Sequence, residues 1–104
     1  MLRYKLSNEA KEDLIRIHHY GVGEFGLKLA DKYFYEFFDC FDRISENPFA
    51  FELVNHIRDA YRRCPCGVDA IYFRIKNNMV EIMTIIAKQD LNTKLKMRFR
   101  PVRI

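Results

Sequence analysis

The side chains that could act on a phosphate are basic ones gathered in the second half of the chain: His56, Arg58, Arg62, Arg63, Arg74 and Lys88. Cleaving RNA needs a base for the 2′-hydroxyl, an acid for the leaving oxygen, and cations for the charge that develops on the phosphoryl oxygens. The cations are there. No histidine or tyrosine follows Asp90, so an acid from the C-terminal segment is missing. Cys64 and Cys66, spaced as Cys-Pro-Cys, match no strong tetrahedral metal motif. His18 and His19 are neighbours on a predicted helix and project about 100° apart. No glycine-rich phosphate loop or serine-triad motif is present. The expectation is no catalytic residue, no metal and no cofactor.

The same residue types suit binding. Arginine and tyrosine are enriched among the residues that dominate protein interfaces. Arg58, Tyr61, Arg62 and Arg63 cluster on or beside one predicted strand, and Arg74 sits on the next. The run Tyr33-Phe34-Tyr35-Glu36-Phe37-Phe38 belongs to a helix that is apolar around more than half its circumference. One small sheet cannot cover all of that, so an exposed apolar patch is expected, and such patches mark partner surfaces. Tyr33 and Phe37 are assigned to it.

Charge is unevenly spread. The last eleven residues, Lys94 to Ile104, hold five bases and no acid; of 18 bases and 14 acids in all, the other 93 residues keep 13 and 14, a net of −1. A near-neutral domain with a basic tail suits an acidic partner or nucleic acid. In the tail Leu95, Met97 and Phe99 alternate with Lys94, Lys96, Arg98 and Arg100, a strand pattern that Pro101 limits. It would add an edge strand or pair with another chain. The partner-binding set is therefore Tyr33, Phe37, Arg58, Tyr61, Arg62, Arg63, Arg74, Lys88, Lys96, Arg98 and Arg100.

The elements that must position these residues follow from periodicity. Leu2, Tyr4 and Leu6 alternate with Arg3 and Lys5, a half-buried strand. Ser7 and Asn8 offer N-cap oxygens, and Glu9, Glu12 and Asp13 suit the positive end of a helix. Ala10, Leu14, Ile17, Gly21, Val22 and Phe25 recur at helical spacing over about four turns. Gly23 and Gly26 bracket its end, Gly26 as a left-handed residue. A second helix carries Leu27, Ala30, Phe34, Phe37, Phe38, Phe41 and Ile44, and Asn47-Pro48 stops it. Joined by about three residues, the two helices form an antiparallel hairpin.

Phe49 to Ile57 reads as irregular or a short helical turn. Ala60 to Cys64 is a short strand ended by Pro65-Cys66-Gly67. Ala70 to Ile75 is a stronger one, with Ile71, Phe73 and Ile75 on one face. Asn77-Asn78 makes a hairpin turn, because asparagine tolerates positive φ. Val80 to Ala87 is apolar on both faces except for Glu81 and Thr84, and so is central. The fold class is α+β: an N-terminal strand, a two-helix antiparallel hairpin and a three-stranded antiparallel meander (β-α-α-β-β-β), the helices packed on one face of the sheet. Residues 1–90 form a single domain, with a basic tail at 91–104.

The first residues lack a long apolar stretch and a small-residue cleavage site, and no apolar run approaches the ~20 residues that span a bilayer. Three cysteines, an odd number, read as reduced thiols, and Cys64 and Cys66 are too close together to bridge without strain. A cytoplasmic location is expected, with no membrane association.

From about Tyr4 to Asp90 the chain resembles the ParE/RelE toxin superfamily of type II toxin–antitoxin systems, its ParE branch in particular. The likeness rests on the opening strand into Leu6-Ser7-Asn8-Glu9-Ala10 with Asp13-Leu14, then Phe25-Gly26 and Ser45-Glu46-Asn47-Pro48. It continues through Arg58, Tyr61-Arg62, Gly67, Ile71-Tyr72-Phe73-Arg74-Ile75 and Val80-Glu81-Ile82. The resemblance implies a cytoplasmic toxin that pairs with a cognate ParD-like antitoxin. It also implies that the toxin poisons DNA gyrase through the A subunit by binding, meeting nucleic acid only through that complex. RelE-like relatives instead cut messenger RNA on the ribosome. Members similar to ParE usually carry histidine where Asp69 stands and near Ala87, and an arginine where Thr84 aligns. A RelE-like endoribonuclease and an attenuated, non-toxic antitoxin-binding paralogue stay open as alternatives.

Overall fold

A computed structural model describes residues 2–87, without the Ala87 side chain. The order of elements is β1 (Arg3–Leu6), α1 (Asn8–Phe25), α2 (Leu27–Glu46), a 3₁₀ turn (Pro48–Ala50), β2 (Glu52–Leu53), β3 (Arg62–Cys66), β4 (Asp69–Lys76) and β5 (Met79–Ala87). The five strands form one sheet in the order β1-β5-β4-β3-β2. Pairing is antiparallel except between β1 and β5, which run parallel with Tyr4 beside Val80. The expected α+β architecture is present, with the helical hairpin packed on one face of the sheet and β5 central, between β1 and β4.

Local chemistry explains the elements. Ser7 caps α1, its Oγ accepting from the Ala10 N–H at 3.0 Å. Gly26 alone joins the helices, where about three residues were expected. It ends α1 and begins α2 at φ 88°, ψ 163°, a region that glycine alone enters without strain and not the left-handed helical geometry expected of it. Asn77 and Asn78 both adopt positive φ, 54° and 58°, as a type I′ hairpin turn requires.

Strand β3 departs from expectation. It begins at Arg62, because Ala60 stands at φ 64°, and it runs on through Pro65 to Cys66. Proline is tolerated because β2 pairs only with Arg62 and Arg63, so that among the described residues no strand lies on the outer side of Pro65. β2 itself, two residues long, arises inside a segment read as irregular.

The larger core lies between helices and sheet, where Phe37, Phe41 and Ile44 of α2 meet Cys64, Ile71, Phe73, Val80, Ile82 and Ile85. A second, smaller core occupies the opposite sheet face. There Val54 and Tyr61 fold over Ala70, Tyr72 and Ile86. Between Tyr72 and Phe73 the β4–β5 register slips, so that Met83 bulges. The start of α1 completes the backbone pairing there: Ser7 Oγ donates to the Met83 carbonyl at 2.8 Å, and the Ile85 N–H donates to the Asp13 carboxylate at 2.9 Å.

Candidate partner-binding surface

Of the ten large apolar side chains left exposed among the described residues, seven lie between Ile15 and Tyr35 on the helical hairpin. The sequence placed Val22, Phe25 and Leu27 on core-facing stripes. Here they are exposed, Phe25 at 66% and Leu27 at 61%, because the hairpin tip extends past the last buried position of α1, Gly21.

Between α1, α2 and the β3–β4 turn lies a groove of about 530 Å³. Ile17 and Gly21 of α1 and Ala30 and Phe34 of α2 line its floor, Phe25 and Leu29 one end, and Val68 of the turn its wall. Such a concave, mostly apolar surface with a few polar groups is what a helix or peptide docks into. The polar groups are placed by pairing. His18 Nε2 lies 2.7 Å from the Asp31 carboxylate, tying α1 to α2, and its ring meets Phe34 edge-on. The Tyr33 hydroxyl shares its one proton between the Asp69 carboxylate at 2.7 Å and the Cys66 carbonyl at 2.9 Å. Burial and the Asp69 carboxylate hold that phenol protonated far above its usual range. The turn is built for this contact: Gly67 stands at φ 60°, and a methyl group in place of its hydrogen would fall 2.6 Å from the Tyr33 ring.

The expected binding residues divide. Tyr33 lines the groove. Phe37 is fully buried; its edge reaches the groove floor, but it offers no surface to a partner, which corrects its assignment. Tyr61, 5% exposed, is likewise corrected: it is a core residue of the second cluster, under the segment that follows β2. Arg62 donates to the Phe51 carbonyl at 2.7 Å and lies over the Phe49 ring at 5.2 Å, so it holds the loop between α2 and β2. Arg63 is half-buried beside the Tyr72 hydroxyl. Arg74 donates to Glu81 at 2.8 Å, and Lys5 meets the same carboxylate at 3.4 Å. Burial raises the Glu81 pKa, but the hydrogen bonds from Arg74 and Lys5 outweigh it and hold the carboxyl below its usual range. Arg58 is exposed in the loop before β3. Arg62, paired with Phe73, is on the helix-facing side of the sheet, whereas Arg63, paired with Tyr72, and Arg74 lie on the face away from the groove. Lys88, Lys96, Arg98 and Arg100, and the edge strand expected of the tail, lie outside the described residues.

Sequence reasoning missed Phe25, Leu29 and Val68. One signal was available: a valine at the tip of a two-residue hairpin, where polar residues are usual. Among the described residues no group of three His, Cys, Asp or Glu side chains is arranged to hold a metal ion, and no helix is long and apolar enough to cross a membrane.

A hairpin of helices thus lies on one face of a small sheet, with β1 beside β5. The sequence profile of the family described as ParE toxin of type II toxin-antitoxin system, parDE, matches residues 4–91, and the chain belongs to that family. It is 31% identical over 94 residues to Toxin ParE1 of Caulobacter vibrioides, covering 90% of this chain and 96% of that protein. The structure described as the chromosomal ParDE TA system from P. aeruginosa superposes with a TM-score of 0.75 at 18% identity, covering 84% of this chain and 96% of the other. That likeness is one of fold.

Proposed function

We propose that this toxin acts by binding rather than catalysis, that its target is DNA gyrase through the A subunit, and that a cognate ParD-like antitoxin neutralises it. The observation that carries the antitoxin half is the hairpin groove, an apolar trough rimmed by exposed Phe25, Leu29 and Val68. Its occupant is the apolar face of an amphipathic antitoxin helix, with anchors at helical spacing. The solved relative is described as a ParDE toxin–antitoxin system, which supports an antitoxin as the partner here.

Action by binding is supported by how the cations are used. Arg62 is engaged with a backbone carbonyl and Arg74 with Glu81, and the acidic Asp69 is taken up by the Tyr33 hydroxyl. An RNA-cleaving site needs free cations beside a base and an acid. The cationic sheet face, on the side away from the groove, is the surface offered to gyrase, with nucleic acid met only through that complex. The setting is the cytoplasm, where gyrase and its DNA are.

The test is supercoiling of relaxed plasmid by purified gyrase with this protein added. Inhibition that a ParD-like antitoxin relieves is the expected result. No inhibition at micromolar protein with the fold intact discards the gyrase reading. Specific cutting of ribosome-bound messenger RNA discards binding as the mode of action.

A further inference from the structure

Three cysteines distant in sequence converge where α2 packs on β3. Cys64 and Cys66, two residues apart on β3, share the face turned toward the helices, and Cys40 meets them from α2. The Sγ atoms of Cys40 and Cys66 lie 2.7 Å apart, inside the contact distance of two unbonded sulfurs, and all three side chains are free thiols. Arg43 Nη2 stands 3.1 Å from Cys40 Sγ. Arg43 is exposed, so the buried cluster lies one side chain beneath the surface. Neither the apolar lining of the groove nor the cationic sheet face uses these sulfurs.

We propose that Cys40 and Cys66 are a peroxide-oxidisable pair that closes to a disulfide and ties α2 to β3. Hydrogen bonds from Cys64 and Cys66, with Arg43 beside them, hold the Cys40 thiol far below its ordinary range. Their bonds to Cys40, with burial, push Cys64 and Cys66 above theirs. Cys40 is therefore the attacking thiolate and Cys66 the resolving thiol. The Cys40 thiolate attacks the terminal oxygen of a hydroperoxide and becomes a sulfenic acid. The O–O bond breaks, and the departing oxide takes the proton that Cys40 had lost. Cys66 then attacks the sulfenic sulfur, an S–S bond forms, and water leaves carrying the Cys66 proton. Two thiols lose two electrons, and the hydroperoxide gains them. Cluster burial admits a small oxidant and excludes a bulky disulfide such as oxidised glutathione. The Cys66 carbonyl accepts from Tyr33, so the closed bond also fixes the backbone that supports the groove wall.

The experiment treats the native full chain with hydrogen peroxide, then denatures, alkylates and maps it. Free thiols fall from three to one, the Cys40 and Cys66 peptides are joined, and dithiothreitol reverses the change. Cys64→Ser keeps the link, and Cys66→Ser abolishes it. Arg43→Ala slows closure about tenfold by withdrawing the cation from the Cys40 sulfur. The link raises Tm by several degrees. A bridge to Cys64, a bridge between two chains, equal reaction with oxidised glutathione, or overoxidation of Cys40 without a bridge would each overturn the proposal. The peptide map of the unmutated chain decides the matter even where a cysteine variant fails to fold.

Discussion

The carboxylate of Asp13 and the hydroxyl of Thr84 meet at 2.9 Å across 71 positions of sequence, both residues buried. The same carboxylate oxygen accepts the Ile85 N–H at 2.9 Å, beside the Met83 bulge. Helix α1 is thereby attached to the central strand by a side chain that completes the pairing the bulge interrupts.

Replacing Asp13 with alanine leaves the Thr84 hydroxyl and the Ile85 N–H without this acceptor. A buried polar group stripped of its partner costs about 1–3 kcal/mol, so Asp13→Ala is expected to remove about 3 kcal/mol. Urea unfolding followed by circular dichroism would show a lower midpoint at unchanged slope. An unchanged midpoint would show that water replaces the carboxylate at no cost.

Gly67→Ala combines a positive φ with a methyl group 2.6 Å from the Tyr33 ring. A loss of about 1–2 kcal/mol is expected, together with weaker antitoxin binding, because Tyr33 must leave Asp69 and the groove wall shifts. Thermal unfolding and titration calorimetry measure the two effects separately. Tyr33→Phe keeps the ring and removes only the hydroxyl's bonds, so its stability loss should be the smaller.

Val68→Asp and Leu29→Asp place charge on exposed apolar positions of the groove, 69% and 55% accessible. Stability should stay within about 0.5 kcal/mol, since neither position is buried. Antitoxin affinity should fall at least about tenfold if these side chains anchor a helix. The matching control is Leu53→Asp, exposed at 44% on β2 and away from the groove, which should leave binding unchanged.

Much of the architecture was legible because the periods of two and 3.6 are written into the chain. The opening strand, the Ser7 cap, both helices, the Asn77-Asn78 turn and the central last strand all follow from residue type and spacing. What periodicity lacks is the extent of the surface beneath a stripe. α1 has 18 residues, about 27 Å of helix, yet its last buried position is Gly21, so Val22 and Phe25 emerge into solvent. Phe37 and Tyr61 failed the other way: large aromatic side chains suit interfaces and cores alike, and only packing separates the two. Asp13 read as a helix-dipole carboxylate because Thr84 and Ile85 lie 71 and 72 positions away. Cys40 and Cys66, 26 positions apart, are a meeting that no local pattern announces.

The Lys5–Glu81–Arg74 row gives an acid dependence whose sign is determined. The Glu81 pKa in the folded chain lies below its ordinary value of 4.5, so the unfolded chain binds the proton more readily. Stability from this group is complete above the unfolded value and is lost as pH falls through the folded one. Glu81→Gln should flatten the acid limb of a stability–pH curve below about pH 4.5. An acid limb unchanged in Glu81→Gln would place the dependence elsewhere.

The parallel pairing of β1 with β5 has a consequence during synthesis. Strand β1 must wait for β5 before it finds its partner in the sheet, since Tyr4 lies beside Val80 and Leu6 beside Ile82. A nascent or truncated chain ending before Val80 carries both helices but lacks the strand that they, β1 and β4 rest against. The sheet on which the helical hairpin rests can therefore close only once β5 has been made.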